Sequence, residues 1–291
     1  MQLSADANVA RTARFLFPDG AKKPSGLRCG DKELGGMMKL AWKTFPAVFL
    51  VTFLAQALAM RASGPKTETV HFSAGKETVD GFLATPEKPG HYPAVVVIHD
   101  WLGLNDWVKE QTEKLAEQGF VALAVDLFHG AVATNTADAG ELSRGLPDDV
   151  AVADLTGAFD YLAARTDVDR VHIGAIGWSM GGGLAIKLAT HQPRLAACVV
   201  NYGTLPTDPN DIGSIWTPLL GNFGANDRGV TPDDVHSFEK ALKALGRRVD
   251  IKIYDGAGHG FENPVNTTAY NAQAAADAWT RTIDFLNKRL R

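Results

Sequence analysis

From about residue 66 onward, short apolar runs alternate with longer stretches whose apolar residues return every three or four positions. Residues 94–98 (Ala-Val-Val-Val-Ile), 120–125, 171–176, 196–200 and 218–223 are near-continuous hydrophobic runs of strand length. Such runs suit strands covered on both faces, as in a parallel sheet. Residues 68–73 and 78–84 predict two more strands around Ala74-Gly75-Lys76, and residues 249–254 a last one. Between them the spacing predicts helices over 105–118, 147–165 and 180–191, another from Thr231, and one over about 266–290. Thr231-Pro232-Asp233-Asp234 carries a hydroxyl cap, a proline at the first position and acids in the first turn. This alternation predicts an α/β fold, a mostly parallel central sheet with helices on both faces. Residues 127–146 have no clear period and are expected to form an irregular wall or lid over a site.

The first sixty residues are patterned differently. Residues 37–59 read Met-Met-Lys-Leu-Ala-Trp-Lys, then an apolar stretch, then Ala57-Leu58-Ala59. A short basic region, an apolar core and a small-x-small end are the layout of a secretory signal peptide. The apolar core is short of the roughly 20 residues a membrane span needs; an uncleaved anchor helix is the alternative. Residues 1–36 are polar and Gly-rich, and are expected to be a non-native upstream extension or a disordered tail. Residues 60–291 are then one domain, exported to the periplasm or secreted. That part holds 21 Lys and Arg against 29 Asp and Glu, a net charge of −8, which suits a soluble exported protein.

Composition narrows the field. Hydrophobic residues make up 45% and charged residues 21%, which argues against wholesale disorder. A mean hydropathy of −0.08 excludes a multi-span membrane protein. The whole chain carries −4, so it lacks the basic excess with which nucleic-acid binders neutralise phosphates. The two cysteines, Cys29 and Cys198, exclude a disulfide framework, and neither has metal-ligand spacing.

The chemistry clusters at predicted strand ends. Gly177-Trp178-Ser179-Met180-Gly181 fits G-x-S-x-G, directly after an apolar strand and directly before a helix. That context is what a nucleophile elbow requires. Asp227, just after the 218–223 strand, and His259, just after the last strand, complete the order serine, acid, histidine at carboxyl ends of strands. In this reading His259 accepts and returns the Ser179 proton, and Asp227 holds its tautomer. Asp233 and Asp234 compete for the acid role but fit helix-start duty better. His71, His191 and His236 read as structural or solvated. Backbone N–H groups of Met180 and Trp101 are the expected oxyanion donors. Asp100 and His99, in His99-Asp100-Trp101-Leu102-Gly103, are candidates for the pocket wall, with a turn or helix cap as the equal alternative.

Taken together, VVVIHDWLGLN, QGFVALAVDLF, IGWSMGGGLA, FGANDRGV and YDGAGHGFEN make residues 66–290 resemble the dienelactone hydrolase family. The resemblance implies the α/β-hydrolase fold and a monomeric, cofactor-free hydrolase of small esters or lactones. It places Asp227 and His259 at the family's acid and base. Ser179 falls at the nucleophile, where the family usually has cysteine, and Asp100 where it usually has a glutamate against the resting thiol. Asn263 stands at the basic residue the family uses for a substrate carboxylate, with Arg144 and Arg228 as possible substitutes. Serine for cysteine points to a serine esterase. An enzyme cutting amides or transferring acyl groups, and a non-catalytic binding protein on the same fold, are the competing readings.

Overall fold

A computed structural model describes residues 64–291; the expectations for residues 1–59, and Cys29, lie outside the described residues. Eight strands form one sheet: β1 (Lys66–Ala74), β2 (Glu77–Thr85), β3 (Tyr92–Ile98), β4 (Val121–Val125), β5 (Val168–Trp178), β6 (Ala197–Asn201), β7 (Leu219–Gly224) and β8 (Val249–Tyr254). Their order in space is β1-β2-β4-β3-β5-β6-β7-β8. The β1–β2 hairpin joins the sheet antiparallel through β2–β4, and all pairs from β4 to β8 are parallel. Among the described residues seven helices accompany them: α1 (Asp106–Glu117), α2 (Thr136–Gly145), α3 (Asp148–Ala164), α4 (Met180–His191), α5 (Pro209–Gly213), α6 (Pro232–Ala244) and α7 (Ala272–Leu290).

Two-residue alternation splits the apolar strands between two cores. Val96 and Ile98 of β3 point into a layer with Leu155 and Phe159 of α3, Leu184 and Leu188 of α4 and Phe238 of α6. Val95 and Val97 point the other way, against Trp107 and Leu115 of α1 and Ile283 and Leu286 of α7. Because β3 has β4 on one side and β5 on the other, the winding direction reverses there. In open parallel sheets the crevice outside the strand ends at such a reversal is where ligands bind.

Three expectations need correction. The 127–146 segment is not irregular throughout, since α2 lies inside it. Asn135 caps that helix by accepting from the Ala137 and Asp138 amides, and Ala139 is its one buried residue; a helix without an apolar stripe leaves no periodic signal. The last helix starts at Ala272, capped by Asn271, and not near 266. Residues 260–271 are instead turns. Finally, β5 runs from Val168 to Trp178, longer than the apolar 171–176, because its first residues pair although Val171 is exposed. Among the described residues, no helix is long and apolar enough to cross a membrane.

Candidate active site

β5 ends at Trp178 and α4 begins at Met180, leaving Ser179 alone to make the turn. Ser179 sits at φ 54°, ψ −116°, a region that costs a side-chain-bearing residue about 1–3 kcal/mol. Surrounding backbone holds it there. The Ser179 N–H donates to the Asn201 carbonyl at 2.9 Å, and its own carbonyl accepts from the Gly182 N–H at 3.0 Å. The motif's glycines follow from this crowding. A Cβ on Gly177 would lie 2.0 Å from the Gly181 carbonyl oxygen, and one on Gly181 would lie 2.3 Å from that of Ile98.

Two further loops meet the elbow. After β7 the chain delivers Asp227; after β8 it delivers His259. The loops are tied by the Asn226 N–H to Ala257 carbonyl bond at 2.8 Å, and Phe261 anchors the second in the core. Ser179 Oγ lies 2.7 Å from His259 Nε2, and His259 Nδ1 lies 2.7 Å from Asp227 Oδ2. The other Asp227 oxygen accepts from the Gly229 and Val230 amides at 2.8 and 3.1 Å. Burial pushes the Asp227 carboxyl up, but the hydrogen bonds from His259, Val230 and Gly229 outweigh it and leave it below the ordinary carboxylate value. An ionised acid behind a His259 that remains accessible is an arrangement that can take and return a serine proton.

The remaining sequence candidates separate. The Met180 and Trp101 N–H groups donate to no protein acceptor among the described residues. The neighbouring amides of Leu102 and Gly103 are used by the Asp100 side chain and carbonyl. Asp100 is thus a turn residue, buried and with its carboxyl raised chiefly by desolvation, although close enough to His259 to feel its charge. His99 does not line a pocket. It is fully buried, its Nδ1 donating to the Asp100 carbonyl at 2.6 Å and its Nε2 accepting from the Leu127 N–H at 3.2 Å. Two backbone partners on a desolvated ring keep it neutral and structural. Asn263 is also spent locally: its Oδ1 caps the Val265 amide at 3.0 Å. Asp234 forms a capping box with Thr231, as its spacing predicts. Arg228 is exposed beside the acid. Ser143 of α2 donates to the Met180 sulfur at 3.4 Å, so α2 does stand against the elbow. A groove of about 740 Å³ starts at Met180 and Gly183 and runs past Leu184, Leu205 and Pro206.

The model of the dienelactone hydrolase family matches residues 79–290. The chain belongs to the dienelactone hydrolase family. Its members are hydrolases acting on ester bonds, and so is this protein. A protein of Methylorubrum extorquens provisionally named carboxymethylenebutenolidase is 26% identical over 280 residues, covering 88% of this chain and 96% of its own. Protein usf of Aquifex pyrophilus is 31% identical over 230 residues, covering 77% and 99%. A solved dienelactone hydrolase-like promiscuous phosphotriesterase from metagenomic libraries superposes with a TM-score of 0.73 at 27% identity, over 79% of this chain and 100% of that one.

In this dienelactone hydrolase family member, the sequence leaves a second tier around the triad-like line unmarked. Tyr202 is buried at φ 42°, its ring edge-on to His259 at 5.3 Å and to Phe261 at 5.4 Å. The Trp178 indole donates to Glu262 at 3.0 Å. Asn201 and Asn222 lie fully buried beneath. The one available signal is a polar residue in each of two otherwise apolar strands, Asn201 at the end of β6 and Asn222 inside β7.

Proposed function

We propose that this protein is a serine hydrolase of small carboxylic esters or lactones, acting through an acyl-enzyme on Ser179. The observation that carries the reading is the 2.7 Å and 2.7 Å line from Ser179 through His259 to Asp227 on a strained elbow. His259 Nε2 takes the Ser179 proton as Oγ attacks the carbonyl carbon, and returns it to the leaving alkoxide. Water, deprotonated by the same nitrogen, then releases the acid. The Met180 and Trp101 amides, without protein acceptors, serve the developing oxyanion. The groove from Met180 takes an apolar part of the substrate. Asn263 offers no charge, and no Lys or Arg is bonded to Ser179, Asp227 or His259 among the described residues. A substrate without a carboxylate suits this site better than one with it.

Cys198 is a poor alternative nucleophile. It is fully buried in β6, and burial pushes its thiol up to about 12, so the reactive thiolate is scarce. A fluorophosphonate is expected to label Ser179 and stop p-nitrophenyl ester turnover, while iodoacetamide leaves turnover nearly intact. Labelling that survives in Ser179→Ala, or turnover abolished by iodoacetamide, would overturn the assignment. A folded wild type inert to esters, lactones and phosphonates would favour a binding protein.

A further inference from the structure

The two ends of the sheet differ in charge. At the carboxyl end, the loops after β3, β4, β6 and β8 contain stretches without a formal charge: residues 101–105, 127–137, 202–207 and 263–276. Charges resume only where helices begin or run on, at Asp106, Asp138, Asp208 and Asp277. Asp100 and Asp126, which precede two of these stretches, are buried and spent on backbone amides. Arg228 and Asp255 are the exposed exceptions, after β7 and β8. The amino end is the reverse. The links that enter β3, β5, β6 and β8 carry Lys88, Arg165, Asp167, Arg194, Arg247 and Arg248.

Large apolar side chains are exposed on the same uncharged loops. Val265 is 75% exposed, Val132 46%, Tyr270 42% and Trp101 37%. Their loops are fixed to one another and to the triad-like line. The Ala133 N–H donates to the Leu102 carbonyl at 2.9 Å, which ties the loop of Val132 to that of Trp101. The Asn266 side chain donates to the His259 carbonyl at 3.2 Å, and the Tyr270 N–H to the Asn266 carbonyl at 2.9 Å. In the sheet, β3 and β4 lie on one side of β5 and β8 on the other. Ser179, at the end of β5, therefore has an exposed apolar pair on loops from each side. Single hydrophobics scattered over a surface are ordinary, but several set among neutral polar residues around one opening mark a contact surface. Trp and Tyr suit such a boundary, with an apolar body and one polar group that stays wet.

We propose that this carboxyl-end face rests on the surface of a condensed, uncharged ester phase, a droplet of short-chain glycerides for example, and draws substrate from it into the site. This rests on the serine-hydrolase reading above and names the form in which the substrate arrives. The occupant follows from where the face lies. Ser179 opens inside the apolar rim, so a protein seated there permanently would keep substrate out. Loops without charge gain nothing from a charged surface, and they lose no ion hydration against an uncharged one. Contact takes exposed Val, Tyr and Trp surface out of water, the quantity on which interfacial binding scales. The charged amino end keeps the opposite side of the sheet in water, which turns Ser179 toward the ester. The groove from Met180 and Gly183 past Leu205 and Pro206 then receives an acyl or alkyl chain that has not had to cross water.

Tributyrin passes from solution to droplets as its concentration rises through saturation, and it serves as the probe. Wild-type turnover is expected to step up by roughly tenfold or more when droplets appear, because binding at their surface raises the local ester concentration. Val132→Asp/Val265→Asp should lose that step. The same variant should turn over dissolved p-nitrophenyl acetate within about twofold of wild type, since both changes are on the surface and outside the triad line. Val132→Leu/Val265→Leu, which keeps the rim apolar, should keep the step. A second readout does not depend on turnover. The Ser179→Ala protein should co-separate with tributyrin droplets on centrifugation, with a partition coefficient that falls by about tenfold or more when Val132→Asp/Val265→Asp is added. All these proteins share one N-terminus, so the apolar residues 45–54 contribute equally to each. A smooth rate through saturation, or partition indifferent to the aspartates, overturns the proposal. Partition that needs anionic lipid and vanishes in salt overturns it in favour of the charged end. A wild-type dimer that the aspartates dissolve, without partition, overturns it in favour of a second copy of the chain. Absence of all wild-type ester turnover refutes the serine-hydrolase reading, and the partition of Ser179→Ala then still decides whether this face binds the ester phase.

Discussion

Asp227 shows how one side chain can be tied down on both oxygens for different purposes. One oxygen is fixed by two backbone amides and the other faces His259 Nδ1. Asparagine can keep the first set through its carbonyl, but presents an N–H to the imidazole. His259 would then have to accept at Nδ1, which puts its proton on Nε2, pointing at Ser179 when it should be receiving. Asp227→Asn is expected to fold like the wild type and lose about 10⁴ in ester kcat, as in the serine proteases with this arrangement. Circular dichroism and steady-state kinetics on the same preparation check both halves. A loss under tenfold would mean that Asp227 does not set the tautomer. Asp100, close to His259 but committed to the Leu102 amide, is not placed to take over.

The elbow is a property of two elements pressed together. β5 passes its last residue to α4 with a single serine between, and the helix approaches β3 so closely that Gly181 has no room for a methyl group. Relief is difficult because the obstruction is the Ile98 and His99 backbone rather than a mobile side chain. Gly181→Ala is expected to destabilise the protein by at least the ~1–3 kcal/mol of ordinary overpacking. It should also depress kcat, because the strain is relieved by moving α4 away from β3, and Ser179 moves with it. Thermal unfolding and kinetics test this. An alanine variant with wild-type melting temperature and turnover would show that the close approach is not required. α2 illustrates the opposite situation: it is held by its Asn135 cap and one buried alanine, with little to reveal it in the hydrophobic pattern.

Across residues 64–291, one sheet divides two apolar layers and places the loops that carry Ser179, Asp227 and His259 at the carboxyl ends of β5, β7 and β8. The reversal of winding at β3 opens the crevice in which they meet. Upstream of this domain, the basic residues Lys39 and Lys43, the apolar core and Ala57-Leu58-Ala59 motivate a proposal of export with cleavage after Ala59. N-terminal sequencing of protein recovered outside the cytoplasm is expected to begin at Met60 or within a few residues of it. Recovery of the intact N-terminus in the membrane fraction would instead establish an anchor.

Local sequence by itself determined the strand–helix alternation, the parallel character of the central strands and the positions of Ser179, Asp227 and His259 at strand ends. Apolar runs, caps and a Gly-rich turn are written in neighbouring residues, and their physical causes act over the same short range. Tertiary structure decided what lies across the chain: that His99 is a buried post for two backbone groups, that Asn263 closes a turn, and that Trp178, Asn201, Asn222 and Glu262 share hydrogen bonds under the elbow. None of those roles has a local pattern. Glu262 is 84 residues from its Trp178 partner, and a carboxyl group reads as a solvated surface charge until the fold sets an indole N–H against it. Burial and hydrogen-bond complementarity are set by which strands become neighbours, and only the folded chain brings those strands together.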